Sequence, residues 1–153
     1  MKLLMILFAF LLPSAALAQS QVALSSEIFV ERTITEPSGA TRVALEAPGM
    51  VTPGDKLVFV LSYRNSSASP ASDFVVTNPI PDSVAFESTE SAGAVYSVDG
   101  GRSWGALAAL SVRNADGSSR AAGPADVTHV RWQFARAIPA GDGGQLRFRG
   151  VVK

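Results

Sequence analysis

PGDKLVFVLSYRNSSASPASDFVVTNPIP, Pro53 to Pro81, is the stretch whose reading decides the fold. Pro53-Gly54-Asp55 opens it as a turn, since proline fixes φ and glycine permits a positive one just before an apolar run begins. Leu57, Phe59, Leu61 and Tyr63 then alternate with Lys56, Val58, Val60, Ser62 and Arg64. A period of two cannot keep one face of a helix buried, so the run is a strand. Val58 and Val60 on the otherwise polar face imply that this face too is partly covered. The second run, Asp73 to Asn78, is short and β-branched, and Pro79 and Pro81 stop it by removing ladder donors. Ser66 to Ser72 between them is small, polar and broken by Pro70, which makes it a loop.

These residues also carry a family resemblance. A Pro-Gly-Asp turn, a strand ending in Tyr63-Arg64-Asn65, a small polar loop and Val75-Val76-Thr77-Asn78-Pro79-Ile80-Pro81 together resemble the bacterial domain of unknown function 11, a repeat domain of secreted and cell-surface proteins. The resemblance covers Val30 to Phe86, and the chain has Asn78 where the family usually has Asp. It implies an immunoglobulin-like β-sandwich in the cell envelope or outside the cell, with no assigned activity.

Met1 to Ala18 stands apart from the fold. Lys2 gives a positive start, Leu3 to Leu12 is apolar, Pro13-Ser14 breaks the run, and Ala16-Leu17-Ala18 supplies small residues for cleavage. This is the pattern of a secretory signal peptide, with an apolar core well short of the roughly 20 residues a membrane span needs. Its removal leaves one domain's length of chain, long enough to bury a core. Without Lys2, the 13 basic residues fall one short of the 13 acidic ones. A balance so near zero gives no electrostatic reason to expect nucleic acid or an anionic membrane as partner. The chain has no cysteine, so an exported domain would be held by packing rather than disulfides, and thiol catalysis and thiolate metal sites are excluded.

Gln19 to Ser26 reads as an N-terminal lead, which could in principle be donated to a neighbouring subunit. The domain proper then runs from Glu27 to Lys153, beginning with a strand at Glu27 to Glu31. Glu36-Pro37-Ser38-Gly39 is a turn, and Thr41 to Leu45 pairs as a second strand. Val84 to Ser88 is extended. Val95-Tyr96-Ser97-Val98-Asp99-Gly100-Gly101-Arg102-Ser103-Trp104 follows, with Asp-Gly between two β-prone arms, the strongest short hairpin signal. The spacing of Ser97, Asp99, Gly101 and Trp104 resembles the Asp-box hairpin of sialidase-type propellers, in which the Asp satisfies turn amides and the Trp packs beneath. A propeller repeats its blade four or more times, whereas the box occurs once here. Asp126 to Phe134 alternates again, and Leu146, Phe148 and Val152 form the inward face of a terminal strand. With a turn about every ten residues and no helical periodicity after the leader, the layout is all-β: an antiparallel immunoglobulin-like sandwich of about seven to nine strands.

Residues that could carry chemistry are few. His129 is the sole histidine, so it could serve a Ser-His-Asp arrangement but not a multi-histidine metal site. Glu87 and Glu90 are the nearest carboxylate pair that might act on glycosides. Asn114-Ala115-Asp116-Gly117-Ser118 has part of the oxygen-ligand spacing of calcium loops and lacks the distal Glu. Arg147 and Arg149 share a strand face and Arg131 could join them, making a basic stripe for an acidic glycan or partner. Asn65-Ser66-Ser67 fits the N-glycosylation acceptor pattern. Trp104 and Trp132 read as core, and an exposed Trp would instead suggest a carbohydrate platform. The Gly-Gly pairs precede no helix and cannot cradle phosphate.

The expectation is an exported, non-catalytic module without cofactor or metal, periplasmic or extracellular, acting through contact with another envelope or extracellular protein and not inserted in a membrane once its signal is cleaved. A small glycan- or ligand-binding module and a secreted hydrolase on a sandwich scaffold are the alternatives.

Overall fold

The computed structural model describes residues 22–153, so the leader expected over Met1 to Ala18 lies outside the described residues. Ten strands are formed: β1 (Val22–Thr35), β2 (Thr41–Glu46), β3 (Lys56–Asn65), β4 (Val75–Pro79), β5 (Val84–Thr89), β6 (Ala94–Ser97), β7 (Ser111–Arg113), β8 (Ser119–Ala121), β9 (His129–Gln133) and β10 (Gly143–Val152). That exceeds the seven to nine expected, in part because β7 and β8 make a small hairpin of their own. The larger sheet has the order β2-β1-β3-β10-β5 and the smaller β4-β9-β6, and all pairings are antiparallel. The chain is therefore all-β, and helix among the described residues is limited to two 3-10 turns, Leu107–Ala109 and Pro124–Asp126.

β3 is the centre of the larger sheet, entered from a turn in which Gly54 has φ +93 and the Asp55 carboxylate accepts the Thr52 amide at 2.8 Å. Its alternation sends Leu57, Phe59 and Leu61 into the core, where they meet Val76 of β4, Val130 and Trp132 of β9, and Leu146 and Phe148 of β10. Phe59 lies opposite Phe148 in the register, with the rings stacked at 4.4 Å. Across the core Trp132 lies 6.3 Å from Phe148, Tyr96 of β6 lies 5.4 Å from Phe86 of β5, and Phe74 lies 6.2 Å from Tyr63 of β3. The smaller sheet thus sits over β3, β10 and β5.

The two valines on the other face of β3 are buried as well. Val58 lies between Phe29 and Arg149 in the register, and Val60 between Glu27 and Arg147. This face carries no second sheet among the described residues, and long flanking side chains can supply such cover by laying their aliphatic stems along the row. On β10, Gly150 continues the inward face of Leu146 and Phe148 beside Val152. A Cβ there would come within 2.5 Å of Val84 Cγ1 and 3.0 Å of the Ala85 carbonyl, so only glycine fits beneath β5, where the register shifts between Arg149 and Gly150.

Two expectations need correction. The lead is not separate from the domain: Val22 to Ser26 continue β1, paired with β3 from Val22 opposite Asn65 to Ser26 opposite Leu61. Val22 is buried with Ala71 and Ile138 in a second, smaller apolar cluster. The Asp-Gly sequence likewise does not close a two-residue hairpin. β6 ends at Ser97, and the chain returns only through a pair of backbone bonds between Tyr96 and Gly105, at 2.9 and 3.0 Å.

Deletion of Gln19 to Ser26 is therefore expected to lower stability by about 2 kcal/mol or more, from the lost burial of Val22 alone plus the ladder bonds beside it. An unchanged midpoint in chemical denaturation would show that this end of β1 is dispensable.

Candidate functional site

Three places gather the polar and exposed groups from which a function could be built. The first is the loop after β6. Positive φ at Gly100 and Gly101, +76 and +87, turns the chain so that amides converge on one carboxylate. Asp99 Oδ1 accepts the amides of Arg102 and Ser103, both at 3.0 Å, and the Ser97 hydroxyl at 2.7 Å, while Oδ2 accepts the Ser103 hydroxyl at 2.6 Å. Ser97 Oγ in turn accepts the Gly101 amide at 2.8 Å. The bonds from Ser103, then from Ser97 and Arg102, hold the Asp99 carboxyl well below the usual carboxylate range. Trp104 Nε1 donates to the Gly101 carbonyl at 3.0 Å. Four bonds from its own loop make the carboxylate a fastener of that loop.

Trp104 is half-buried, unlike Trp132, which is buried as expected. The Arg131 guanidinium lies 3.6 Å over the Trp104 ring and donates to Thr77 Oγ1 at 3.0 Å. Cation and ring satisfy each other here, and a sugar would have to displace Arg131 to stack on that face. His129 meets Trp104 edge-on at 6.1 Å, and its Nδ1 is 3.1 Å from Thr128 Oγ1. Among the described residues no group of three His, Asp or Glu side chains could hold a metal.

The second place is the outer face of β10. The expected stripe of Arg131, Arg147 and Arg149 is not assembled, because Arg131 belongs to the smaller sheet and the other two to the larger. Arg149 is held between Glu31, at 3.1 Å, and Glu90. Arg147 donates to Gln145 Oε1 at 2.8 Å. Glu87 pairs with Lys56 at 3.1 Å, so both members of the nearest carboxylate pair are ion-paired, Glu90 with Arg149. The Asn114 to Ser118 turn is self-satisfied: Asp116 Oδ1 accepts the Ser118 amide and hydroxyl, at 2.9 and 2.6 Å. Arg120 of β8 makes a two-pronged contact with Asp126, both bonds at 2.6 Å. That contact, with the Gly123 amide, brings the Asp126 carboxyl down to about 2.

The third place was not visible in the sequence. In the larger sheet β2 and the middle of β1 extend beyond the smaller one, although Val22 and Val30 at either end of that stretch are buried. Leu24 and Ile28 lie on the core-facing side of β1, opposite Tyr63 and Phe59 of β3, yet they are 50% and 38% exposed. Across from them the outer edge of β4 carries no strand, and Val75 there is 43% exposed. A groove of about 440 Å³ runs between these elements, lined by Val22, Leu24, Ala71, Phe74 and Val75 together with the polar Ser72 and Asp73. The signal was the alternate positions Val22, Leu24, Ile28 and Val30, apolar except for Ser26 between Leu24 and Ile28, which a reading of the first residues as a lead interrupted.

Asn65 closes the account of sequence candidates. It is fully buried, and its Nδ2 donates to the carbonyls of Ser69, Ile138 and Pro139 at 2.8, 2.9 and 3.2 Å. A nitrogen so enclosed cannot accept a glycan in the folded protein. Compared with known proteins, the chain matches no family model, no curated protein and no solved structure.

The carboxylates of Asp99 and Asp126 give the fold a pH dependence of definite sign. Both have folded-state pKa values below the unfolded value of about 3.9, so their stabilisation is complete above that value and lost as pH falls through the folded one. Thermal midpoints of the wild type are expected to be level between about pH 7 and 5 and to fall below about pH 4, with Asp99→Asn and Asp126→Asn each lower at neutral pH and less steep in acid. Parallel acid limbs in all three proteins would show that these carboxylates do not fasten their loops.

Proposed function

We propose that this chain is an exported, non-catalytic immunoglobulin-like β-sandwich module that acts by binding another protein of the cell envelope or exterior. The observation that carries the reading is the uncovered apolar face of β1, with Leu24 and Ile28, beside the free edge of β4. Exposed apolar side chains grouped beside an open strand edge mark a candidate contact surface. An open strand edge next to such a face is the arrangement that takes up an extended segment of a partner, with backbone bonds giving affinity and side-chain contacts giving specificity.

The other readings have less behind them. A hydrolase needs free carboxylates or a base beside a nucleophile, whereas Glu87, Glu90 and Asp99 are each bound to neighbours. A glycan platform needs a bare aromatic face, and Arg131 occupies that of Trp104. The resemblance of Pro53 to Pro81 to the domain of unknown function 11, together with the leader pattern over Met1 to Ala18, supports residence in the periplasm or outside the cell.

Two measurements test this. Mass spectrometry of the exported protein is expected to find Gln19 at its amino terminus; an intact Met1 would remove the basis for export. A photoreactive amino acid placed at Leu24 is expected to give a discrete adduct with another protein in cells, lost in Ile28→Asp, and the same group at Ser119 of β8 is expected to give none. Equal labelling at both positions, or none at either, would mean the β1 face is not a binding surface.

A further inference from the structure

Among the described residues the outer edge of the larger sheet is β2, which pairs only with β1. The Glu36 amide donates to the Ala40 carbonyl at 2.8 Å, and that phase carries along the antiparallel register, in which Ile34 is opposite Arg42, Arg32 opposite Ala44 and Val30 opposite Glu46. Hydrogen-bonded pairs recur every second residue. Arg42, Ala44 and Glu46 therefore direct their backbone groups toward β1, and Thr41, Val43 and Leu45 direct theirs outward to the open edge. Val43 and Leu45 are also exposed on the sheet face, 59% and 43%. No proline or bulge interrupts this edge, so it lacks two of the usual protections against strand addition.

We infer that β2 pairs with β2 of a second copy of this chain, antiparallel about a two-fold axis at Ala44, joining the two larger sheets into one. Charge and size single out this register. With the axis at Ala44, Arg42 stands opposite Glu46 of the partner subunit and Glu46 opposite the partner's Arg42, so symmetry supplies two cross-strand ion pairs. Val43 stands opposite the partner's Leu45, again twice, as an apolar pair in the hydrogen-bonded phase that uses the outward backbone groups. Ala44 meets the partner's Ala44 at the non-hydrogen-bonded position, where Cα atoms approach to about 4.5 Å and a small side chain fits best.

The neighbouring symmetric registers are worse. An axis at Arg42 or at Glu46 sets like charges face to face, which is destabilising. An axis at Val43 or at Leu45 leaves Arg42 or Glu46 opposite an alanine. Among the described residues Arg42 pairs with Glu36 at 3.4 Å, a contact exposed on both sides and of the kind that contributes little. Arg42 and Glu46 thus discourage unrelated strands while matching each other in a single register.

The chain without its leader provides the test. Analytical ultracentrifugation is expected to show a concentration-dependent dimer whose dissociation constant rises about tenfold or more in Arg42→Glu and in Glu46→Arg, each of which puts like charges opposite one another twice. The double variant, Arg42→Glu with Glu46→Arg, is expected to restore wild-type association, which a fold defect could not do. Because the chain has no cysteine, Ala44→Cys is expected to form an intermolecular disulfide under mild oxidation, its Cα separation falling within the range disulfides accept; Val43→Cys, placed opposite Leu45, is expected to cross-link poorly. A wild-type protein that stays monomeric at high concentration overturns the inference, and so does a dimer indifferent to the charge reversals or cross-linked better through position 43. None of these outcomes depends on the β1 groove, so the seam and the proposed partner contact can fail separately.

Discussion

Asn65 is the residue on which the two sheets depend for their connection. The chain crosses between the two sheets four times, at β3 to β4, β4 to β5, β5 to β6 and β9 to β10, and the first and last of these crossings pass its side chain. Its Nδ2 holds the Ser69 carbonyl of the outgoing loop and the Ile138 and Pro139 carbonyls of the returning one, while its Oδ1 accepts the Ser67 amide and hydroxyl at 3.1 and 2.7 Å. Its backbone joins in, accepting from Gly141 and donating to Asp142. Paired backbone bonds between Ala71 and Ile138, each 2.9 Å, then lock the two crossings together. A carboxamide suits the position because it presents donors and an acceptor in one plane without a charge to desolvate. An aspartate would set a carboxylate against three carbonyls.

From this junction follows the inequality of the sheets. Only three strands return over the five, and they align with β3, β10 and β5, where the aromatic contacts lie. β2 and the middle of β1 are left as an overhang, with Leu24 and Ile28 open between the buried Val22 and Val30. The same constraint accounts for the exposure of Leu24 and Ile28 on a side that elsewhere is core, and for the length of the β1 and β2 hairpin, which runs past the start of β3 at Lys56. Removing the overhang's first residues would not merely trim a tail, because Val22 packs with Ala71 and Ile138 beneath the junction itself.

Much of this was legible in the residues. Period two in Leu57, Phe59 and Leu61, the prolines after Asn78 and the terminal Leu146 and Phe148 each fixed a strand and its inward face, because side-chain alternation is a local property. The Ser97, Asp99, Gly101 and Trp104 spacing likewise placed a carboxylate among loop amides, since every partner lies within a few residues. What could not be read was which strands meet. Arg131 was grouped with Arg147 and Arg149 on the assumption that β9 and β10 pair, yet consecutive strands here lie in different sheets, and no local signal records that. The buried state of Asn65 was equally hidden, because two of its partners, Ile138 and Pro139, are distant in the chain. The groove failed to appear for a related reason: exposure of an apolar residue depends on the number of strands opposite, not on the strand that carries it.

The distribution of charge bears on what the surface can recognise. Arg32 pairs with Asp55 at 2.6 Å, Lys56 with Glu87, Arg120 with Asp126, and Arg149 with Glu31 and Glu90. Such pairs add little stability individually when exposed, but each removes a cation from the set that could attract an acidic ligand. Arg147 and Arg149 also flank Val60 and Val58 in the sheet register, so their stems are needed where they lie. With its net charge balanced and many of its ions already matched, the domain has little long-range field with which to steer a partner. Recognition is then left to short-range features, shape, apolar contact and unpaired backbone, and these coincide at the overhang formed by β1 and β2.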